Sequence, residues 1–247
     1  MRVIRMLLAA ESEPCLMCEG ARSGMSAGLP LCTRCFGRIP WISPDDIRCD
    51  TCGRADNCGD CVRRSAQDTW FVHNRSAVRY DAVMKEWLGR FKYRGDERAA
   101  ELFAGMLLPV LEELVLRLKR TPARLGHILL TYVPLSASRL ADRGFNQMEL
   151  IVKKLGRARR LPVWPLLART RHTDKQSRLN RRGRLEGLRD AFAVDEQGVK
   201  KLGAVTSKKP TVIIVDDVYT TGTTLNECAR TINEATNADI YTLTWAR

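Results

Sequence analysis

Eight of the nine cysteines in this 247-residue chain occur as four Cys-x-x-Cys pairs, all within the first 61 residues. A Cys-x-x-Cys turn directs two thiolates towards one point, and two such turns complete a tetrahedral zinc site. The chain therefore predicts two structural zinc sites, which would fold a segment too small to bury an adequate core by itself. The predicted ligands are Cys15, Cys18, Cys32, Cys35, Cys49, Cys52, Cys58 and Cys61.

The spacing of the pairs leaves two questions open. The first pair can combine with the second in one site, or with the third in a crossed arrangement. Disulfides and an iron–sulfur cluster are the alternatives to zinc. A reducing cytosol favours metal ligation over disulfides, and the apolar piece after Arg5 is shorter than the roughly 7–15 residues of a secretory signal core. We therefore expect a cytoplasmic protein, and no apolar run approaches the roughly 18 residues that would span a membrane.

The formal charge of +13 is unevenly distributed. Residues 1–65 contain nine Arg and eight Asp/Glu, a net charge of +1, so residues 66–247 carry +12. Two loaded zinc sites would lower the N-terminal value to about −3, because each holds four thiolates against one divalent ion. Such a field suggests a polyanionic partner, and single-stranded DNA is the one we expect. Solubility alone is the alternative explanation.

A change of pattern divides the chain into two predicted domains with separate cores, residues 1–65 and 66–247. In the second, β-branched runs such as Thr211–Val215 alternate with helical periodicity, as in Thr223–Ala235. This alternation predicts an α/β fold with a mainly parallel sheet and flanking helices, preceded by a small zinc-ribbon module. Glu97–Leu118 is a further predicted helix, with a kink or break at its internal proline.

The segment Val212–Leu225 carries the clearest functional signal. A buried strand runs into Asp216 and Asp217, then into a loop of small residues that opens a helix. Ligands of open α/β sheets bind beyond the carboxyl ends of the strands, and backbone N–H groups at a helix N-terminus can converge on one phosphate. Two adjacent carboxylates suit two neighbouring hydroxyls. A buried strand with a helix-capping threonine is the alternative interpretation.

This segment resembles the diphosphoribosyl-binding motif of type I phosphoribosyltransferases. The resemblance implies that Asp216 and Asp217 hold the ribose hydroxyls of phosphoribosyl diphosphate, which binds with magnesium. It also implies a 5′-phosphate site formed by Thr220, Thr221, Gly222, Thr223 and Thr224. In the hypoxanthine-type enzymes an aspartate precedes the Thr-Gly pair, and Thr220 stands there in this chain. That difference weakens a role in purine salvage.

The whole chain resembles the ComF family of competence-associated proteins, which combine a double zinc ribbon with a phosphoribosyltransferase-like domain. The matching segments are Phe91–Asp96, Val133–Leu135 with Arg139 and Arg143–Gln147, and Arg169–Thr170 with Gln176, Leu179, Asn180 and Arg182. The resemblance implies a part in DNA uptake during natural transformation, with other DNA-uptake proteins as candidate partners.

Two groups of basic residues are candidates for the same site. Arg139 and Arg143 follow the turn where type I enzymes hold pyrophosphate, and arginine pairs two phosphate oxygens at once; a solvated helix face is the alternative. Residues 169–190 contain eight Lys/Arg and three Asp/Glu and are predicted to be a loop that closes over substrate or contacts DNA. The basic residues favoured there are Arg178, Arg181, Arg182 and Arg184.

Three functions fit these features. The first is a protein that binds phosphoribosyl diphosphate and handles single-stranded DNA during uptake. The second is a metabolic phosphoribosyltransferase that transfers the sugar to an unidentified acceptor, so catalysis itself is left open. The third is a zinc-ribbon adaptor on a transferase scaffold, which leaves the intact acidic pair and loop unexplained.

Overall fold

The computed structural model describes residues 13–22, 26–56, 58–62, 69–94, 97–120, 127–170, 190–205 and 209–247. The strands in these ranges are β1 Asn74–Val78, β2 Ile128–Tyr132, β3 Leu167–Arg169, β4 Phe192–Val194, β5 Thr211–Val218 and β6 Asp239–Ala246. Four of them form a parallel sheet in the order β1-β6-β5-β2, and β3 pairs with β4 in a separate antiparallel ladder. The mainly parallel α/β fold expected from the sequence is therefore confirmed.

Helices cover both faces of the parallel sheet. Those in the described ranges are α1 Thr33–Phe36, α2 Gly59–Val62, α3 Ala82–Arg94, α4 Glu97–Lys119, α5 Ala137–Arg143, α6 Gln147–Arg159, α7 Glu196–Val205 and α8 Thr223–Thr236. Successive side chains of a strand point to opposite faces. Accordingly Ile213 of β5 packs in the core with α3, α4 and α6, whereas Val212 and Ile214 pack in the core with α7 and α8.

Several sequence expectations need correction. The helix predicted over 97–118 runs without a break through Pro109 as far as Lys119. Helix α7 and the short strand β3 were not expected from the sequence. Of the predicted loop, residues 171–189 lie outside the described residues, as do Arg178, Arg181, Arg182 and Arg184. The ends of that stretch are held together, since the Thr170 N–H donates to the carbonyl of Ala191 at 3.0 Å.

The cysteine-rich segment packs directly against the sheet. The Ile42 N–H donates to the Ala77 carbonyl at 3.0 Å, and the Arg79 N–H donates to the Pro40 carbonyl at 2.9 Å. These bonds cover β1, which is an edge strand of the parallel sheet and would otherwise expose unpaired backbone groups.

The expectation of separate cores is wrong. Cys15 and Cys35 belong to the same buried cluster as Trp245 of β6, and Cys52 and Cys58 belong to the cluster on the other face of the sheet. A segment this short buries too little surface alone, so it shares the apolar faces of its neighbour. The proposed boundary at residue 65 lies outside the described residues.

The helices in the described residues do not meet the requirements for spanning a membrane. No helix among them combines the length and apolar character needed to cross a bilayer.

Candidate functional site

The eight paired cysteines form two separate clusters. Within each cluster all ligand atoms lie within 4.8 Å of one another. One cluster contains Cys15, Cys18, Cys32 and Cys35, and the other contains Cys49, Cys52, Cys58 and Cys61. The pairing is therefore sequential, and the crossed alternative is excluded.

The sulfur spacing fits zinc. The Sγ atoms of Cys18 and Cys32 lie 3.7 Å apart, and those of Cys52 and Cys58 lie 3.4 Å apart. A tetrahedral site with Zn–S bonds of about 2.3 Å places its sulfurs about 3.8 Å apart, whereas a disulfide would need about 2.05 Å. All nine cysteines are free thiols in the structure, so the two clusters could each hold a zinc ion. The ninth, Cys228, is fully buried on α8, as expected for a core thiol.

The acidic pair occupies the carboxyl end of β5. Asp216 and Asp217 are partly exposed there, next to the buried run Thr211–Val215. The N–H of Asp217 donates to Oδ1 of Asp216 at 2.9 Å, which orients the first carboxylate. Polar groups at the end of a central parallel strand stand where ligands of open α/β sheets bind.

A lysine from another element reaches this pair. Lys92 Nζ lies 2.5 Å from Asp217 Oδ2, and the two side chains are 22% and 25% exposed. The Lys92 carbonyl accepts a hydrogen bond from Nε2 of Gln147 at 3.5 Å. The sequence offers Lys92 as a cation beside Tyr93 that could serve the site, with a surface position as the equal alternative; the contact with Asp217 favours the first. The side chains of Tyr93 and Arg94 lie outside what the structure describes.

The environment of Asp216 favours its protonated form. Desolvation by surrounding protein atoms, together with the neighbouring Asp217 charge, raises the pKa of Asp216 to about 7. Lys92 and Arg169 act in the opposite direction and limit the rise. A carboxyl group whose pKa is raised towards neutral pH, next to cationic side chains, is a common feature of functional sites.

Arg139 acts electrostatically on Arg169, one of the two cations near Asp216. Burial, together with the charge of Arg139, lowers the pKa of Arg169 at the end of β3, while Cys228 and Asp216 act in the opposite sense. Arg169 also stacks over Phe192, with Cζ 5.3 Å from the ring centroid. The structure thus places Arg139 within electrostatic reach of Arg169, which in turn interacts with Asp216. From the sequence, Arg169 was expected at the start of the loop over 169–190 and within the family resemblance, whereas it ends strand β3.

Arg143 lies in a different environment from Arg139 and contacts Gln147. It ends α5, where its Nη1 donates to Oε1 of Gln147 at 3.2 Å. After α5, Asn146 ties the chain back to the end of β2, since its Nδ2 donates to the Val133 carbonyl at 3.2 Å. Through Gln147, Arg143 is connected to the backbone of Lys92.

The loop after the acidic pair begins α8. Gly222 is the N-cap residue and adopts a left-handed backbone with φ +74°. A Cβ at this position would lie 2.1 Å from Oη of Tyr219, so the tyrosine ring packs directly over the glycine. Oγ1 of Thr221 and Oγ1 of Thr223 lie 2.8 Å apart. The first turn of α8 thus presents backbone N–H groups and threonine hydroxyls in one place, a combination suited to an anion.

Comparison with known proteins identifies the family. The chain is 31% identical over 195 residues to the competence protein ComFC of Bacillus subtilis, covering 75% of this chain and 71% of that protein. The chain belongs to the ComF family. A second ComF relative, the competence protein ComFC of Streptococcus pneumoniae, is 28% identical over 220 residues, 88% of this chain and 87% of the relative.

A third relative is a DNA utilization protein. The DNA utilization protein YhgH of Salmonella typhimurium is 30% identical over 192 residues, covering 75% of this chain and 76% of that protein. No protein-family model matches the chain.

Proposed function

We propose that the end of β5 and the loop into α8 bind phosphoribosyl diphosphate. The observation that carries this proposal is the acidic pair Asp216–Asp217 immediately before a helix N-terminus with a left-handed glycine. In this assignment the two carboxylates accept hydrogen bonds from the ribose hydroxyls. Thr220, Thr221, Gly222, Thr223 and Thr224 surround the 5′-phosphate through backbone N–H groups and hydroxyls.

Magnesium would bind together with the diphosphate. The acidic pair supplies hard oxygen ligands of the type that magnesium prefers. Lys92 and Arg169 neutralise the negative charge of this pair only in part. Bound magnesium would offset the negative charge of the diphosphate. Arg139 and Arg143 are the proposed arginine contacts of the pyrophosphate, and the charge of Arg139 near Arg169 supports the first of them.

The names of the relatives extend the proposal to DNA. Two relatives are competence proteins and a third is a DNA utilization protein, so we assign this chain a part in DNA uptake and single-stranded DNA handling. The net charge of +12 on residues 66–247 supports an electrostatic contact with DNA phosphates. Arg178, Arg181, Arg182 and Arg184 are the proposed DNA contacts. We retain 1–65 and 66–247 as the proposed domains of a cytoplasmic protein.

The ligand assignment can be tested by stabilisation of the whole zinc-loaded chain. A ligand that binds only the folded state at 100 times its Kd adds about 2.7 kcal/mol to the unfolding free energy. Phosphoribosyl diphosphate with magnesium should raise the melting temperature of the parent protein, and the Asp216→Asn plus Asp217→Asn variant should lose this increase.

Asp45 and Asp46 provide a matched control. They are another adjacent aspartate pair, in a short 3-10 helix of the cysteine-rich segment. The double Asn variant at these positions should retain the full ligand response. An unchanged response in the Asp216/Asp217 variant would contradict the ribose assignment.

A metabolic phosphoribosyltransferase is the second candidate, because the acidic pair and the loop are both intact. In that reaction an acceptor displaces pyrophosphate at ribose C1. Incubation with phosphoribosyl diphosphate, magnesium and base or amine acceptors should then release pyrophosphate. Salt-sensitive binding of single-stranded DNA without such release would favour the DNA-handling function.

A further inference from the structure

A cavity of about 370 Å³ lies beside the proposed phosphate loop, between the cysteine-rich segment and the sheet. Its principal lining residues are Arg54, Arg79, Tyr80, Tyr219, Thr220 and Arg247. The volume falls within the roughly 300–1,000 Å³ range of small-molecule sites. Thr220 belongs to both the cavity and the proposed 5′-phosphate loop.

Hydrogen bonds among three strand ends build the cavity wall. The N–H of Tyr219 donates to the Ala246 carbonyl at 2.9 Å, and the Arg247 N–H donates to the Val78 carbonyl at 2.9 Å. The N–H of Tyr80 donates in turn to the Arg247 carbonyl at 2.7 Å. The cavity therefore sits at the carboxyl ends of β1 and β6, where ligands of open parallel sheets bind.

The cavity has a surplus of guanidinium groups. Three arginines and one acidic side chain line it; that side chain is Asp56, whose Oδ1 lies 3.6 Å from Nη1 of Arg79. Both partners of this pair are largely exposed, at 47% and 72%, so the contact contributes little and a phosphate can replace it. Guanidinium groups bind phosphate through paired hydrogen bonds.

Arg247 adds buried donors to this wall. Its Nε and Nη1 atoms are buried without a hydrogen-bond partner among the described residues, and its Cζ stacks 4.3 Å from the ring centroid of Tyr219. Its Nη2 faces Sγ of Cys58 at 4.0 Å, so a zinc-loaded cluster would offset part of its charge. The stacked guanidinium therefore adds fixed positive charge to the cavity wall.

Tyr80 gives the cavity an aromatic surface. This side chain is 39% exposed and forms part of the cavity lining. Nucleobases stack on exposed aromatic rings with little dependence on sequence. Phosphate-binding guanidinium groups beside an exposed tyrosine match the two chemical parts of a nucleotide.

We propose that this cavity binds a nucleoside monophosphate unit, with its phosphate on Arg54 and Arg79 and its base on Tyr80. The assignment deepens the proposed function and rests on it in one respect: the unit would lie next to the bound phosphoribosyl group, on the side away from β2. The unit is either a free nucleotide or the 5′-terminal residue of a single DNA strand.

The test uses the full zinc-loaded chain and thymidine 5′-monophosphate, measured by calorimetric titration. Arg54→Gln and Tyr80→Leu should each weaken binding about tenfold, the effect of losing one charge-assisted hydrogen bond or one stacked base. Arg38→Gln is the matched control, because Arg38 is an exposed arginine of the same segment and lies outside the cavity lining. It should bind as the parent does. Zinc content and melting temperature show that each variant is folded.

Other outcomes would overturn the proposal. Binding that survives in both cavity variants, or inorganic phosphate that binds as tightly as the nucleotide, would remove the nucleotide assignment. The Asp216→Asn plus Asp217→Asn variant should still bind the nucleotide; loss there would place the nucleotide in the phosphate loop instead. Failure of phosphoribosyl diphosphate to bind the parent, with nucleotide binding intact, would refute the proposed function and leave the cavity assignment standing.

A competition experiment separates the two sources of the unit. A 5′-phosphorylated oligonucleotide that displaces the monophosphate, when the unphosphorylated strand does not, identifies a strand terminus. Displacement by free nucleotides alone identifies a small-molecule ligand. In both cases the cavity assignment is supported.

Discussion

Nζ of Lys92, in the last turn of α3, lies 2.5 Å from Oδ2 of Asp217 at the end of β5. The contact joins two elements that are far apart in sequence. Both side chains are mostly buried, so the solvent screening that makes surface ion pairs weak is reduced here. The lysine therefore holds one carboxylate of the acidic pair in a defined position before any ligand arrives.

Removal of this cation should destabilise the protein. Lys92→Met leaves Asp217 partly buried without its partner, and we expect the free energy of unfolding to fall by about 1–2 kcal/mol. Lys153→Met is the control, because Lys153 forms a 2.6 Å pair with Glu149 on the exposed surface of α6. That change should cost at most about 0.5 kcal/mol. Denaturant titrations measure both values, and equal losses would show that the Lys92 contact is no stronger than a surface pair.

The raised pKa of Asp216 predicts how stability depends on pH. A carboxyl with an unfolded pKa of about 3.9 and a folded pKa of about 7 binds its proton more tightly when folded. Its stabilising contribution is complete below the unfolded pKa and is lost as pH rises through the folded pKa. Asp216→Asn avoids this loss. The melting temperature of the variant should exceed that of the parent by an amount that grows from about pH 4 to pH 7 and then levels off.

The matched control for this pH series is Asp45→Asn, which alters an exposed carboxyl. Its melting-temperature difference from the parent should stay nearly constant over the same range. A constant difference for Asp216→Asn as well would mean that the Asp216 carboxyl is no harder to ionise in the folded protein than in the unfolded chain.

The sequence predicted the local parts of the site better than its assembly. Asp216, Asp217 and Gly222 were found because strand, acidic pair and helix start are consecutive in the chain, where periodicity and turn chemistry are informative. The choice between the site and a surface position for Lys92 stayed open, because its role depends on how α3 packs relative to β5. Sequence spacing carries no information about that distance.

The same distinction applies to the cysteine clusters. Regular spacing predicted the eight ligands, and the structure then established which pairs combine. The shared cores were missed because the contacts of Cys15 and Cys52 come from distant elements of the sheet and its helices. A pattern confined to the first 61 residues indicates how these residues bind metal, and it does not indicate what they pack against.

The shared cores change what loss of zinc should do. Cys32→Ser and Cys58→Ser should each reduce the zinc content from two ions to one. They should also lower the melting temperature of the entire chain by roughly 10 °C or more, since a loss of several kcal/mol acts on one cooperative unit. Cys228→Ser should retain two zinc ions because this thiol lies in neither cluster.

Elemental analysis and calorimetry measure these two properties on the same samples. An independent transition for residues 66–247, unchanged by Cys32→Ser, would contradict the shared core. Iron in place of zinc would contradict the metal assignment.

Salt dependence should locate the DNA contacts. Each phosphate contact on a single strand contributes about 0.7 to the logarithmic salt slope, so four to six contacts give a slope of roughly −3 to −4. Arg181→Gln plus Arg182→Gln should reduce the magnitude of this slope by about 1.4. Arg34→Gln plus Arg38→Gln removes the same charge from the cysteine-rich segment and should leave the slope unchanged. Fluorescence anisotropy of a labelled oligonucleotide provides the measurement, and the opposite ranking would reassign the contacts to the cysteine-rich segment.

Gly222 and Gly144 share a backbone conformation and differ in their surroundings. Their φ angles are +74° and +73°, but a Cβ at Gly144 would meet nothing within 4 Å, whereas one at Gly222 would lie 2.1 Å from the hydroxyl oxygen of Tyr219. A left-handed Ala costs about 1–2 kcal/mol at either position. Any further loss at Gly222 therefore reports the collision with Tyr219.

We expect Gly222→Ala to lower the free energy of unfolding by about 1–3 kcal/mol more than Gly144→Ala does, the cost of inserting an atom into a packed contact. It should also weaken phosphoribosyl diphosphate binding by more than about tenfold, because a displaced Tyr219 moves the first N–H groups of α8 away from the phosphate. Gly144→Ala should bind the ligand as the parent does. Denaturant titration and ligand-induced stabilisation of the two variants measure these effects separately. Equal binding by both variants would mean that the loop before α8 does not contact the phosphate.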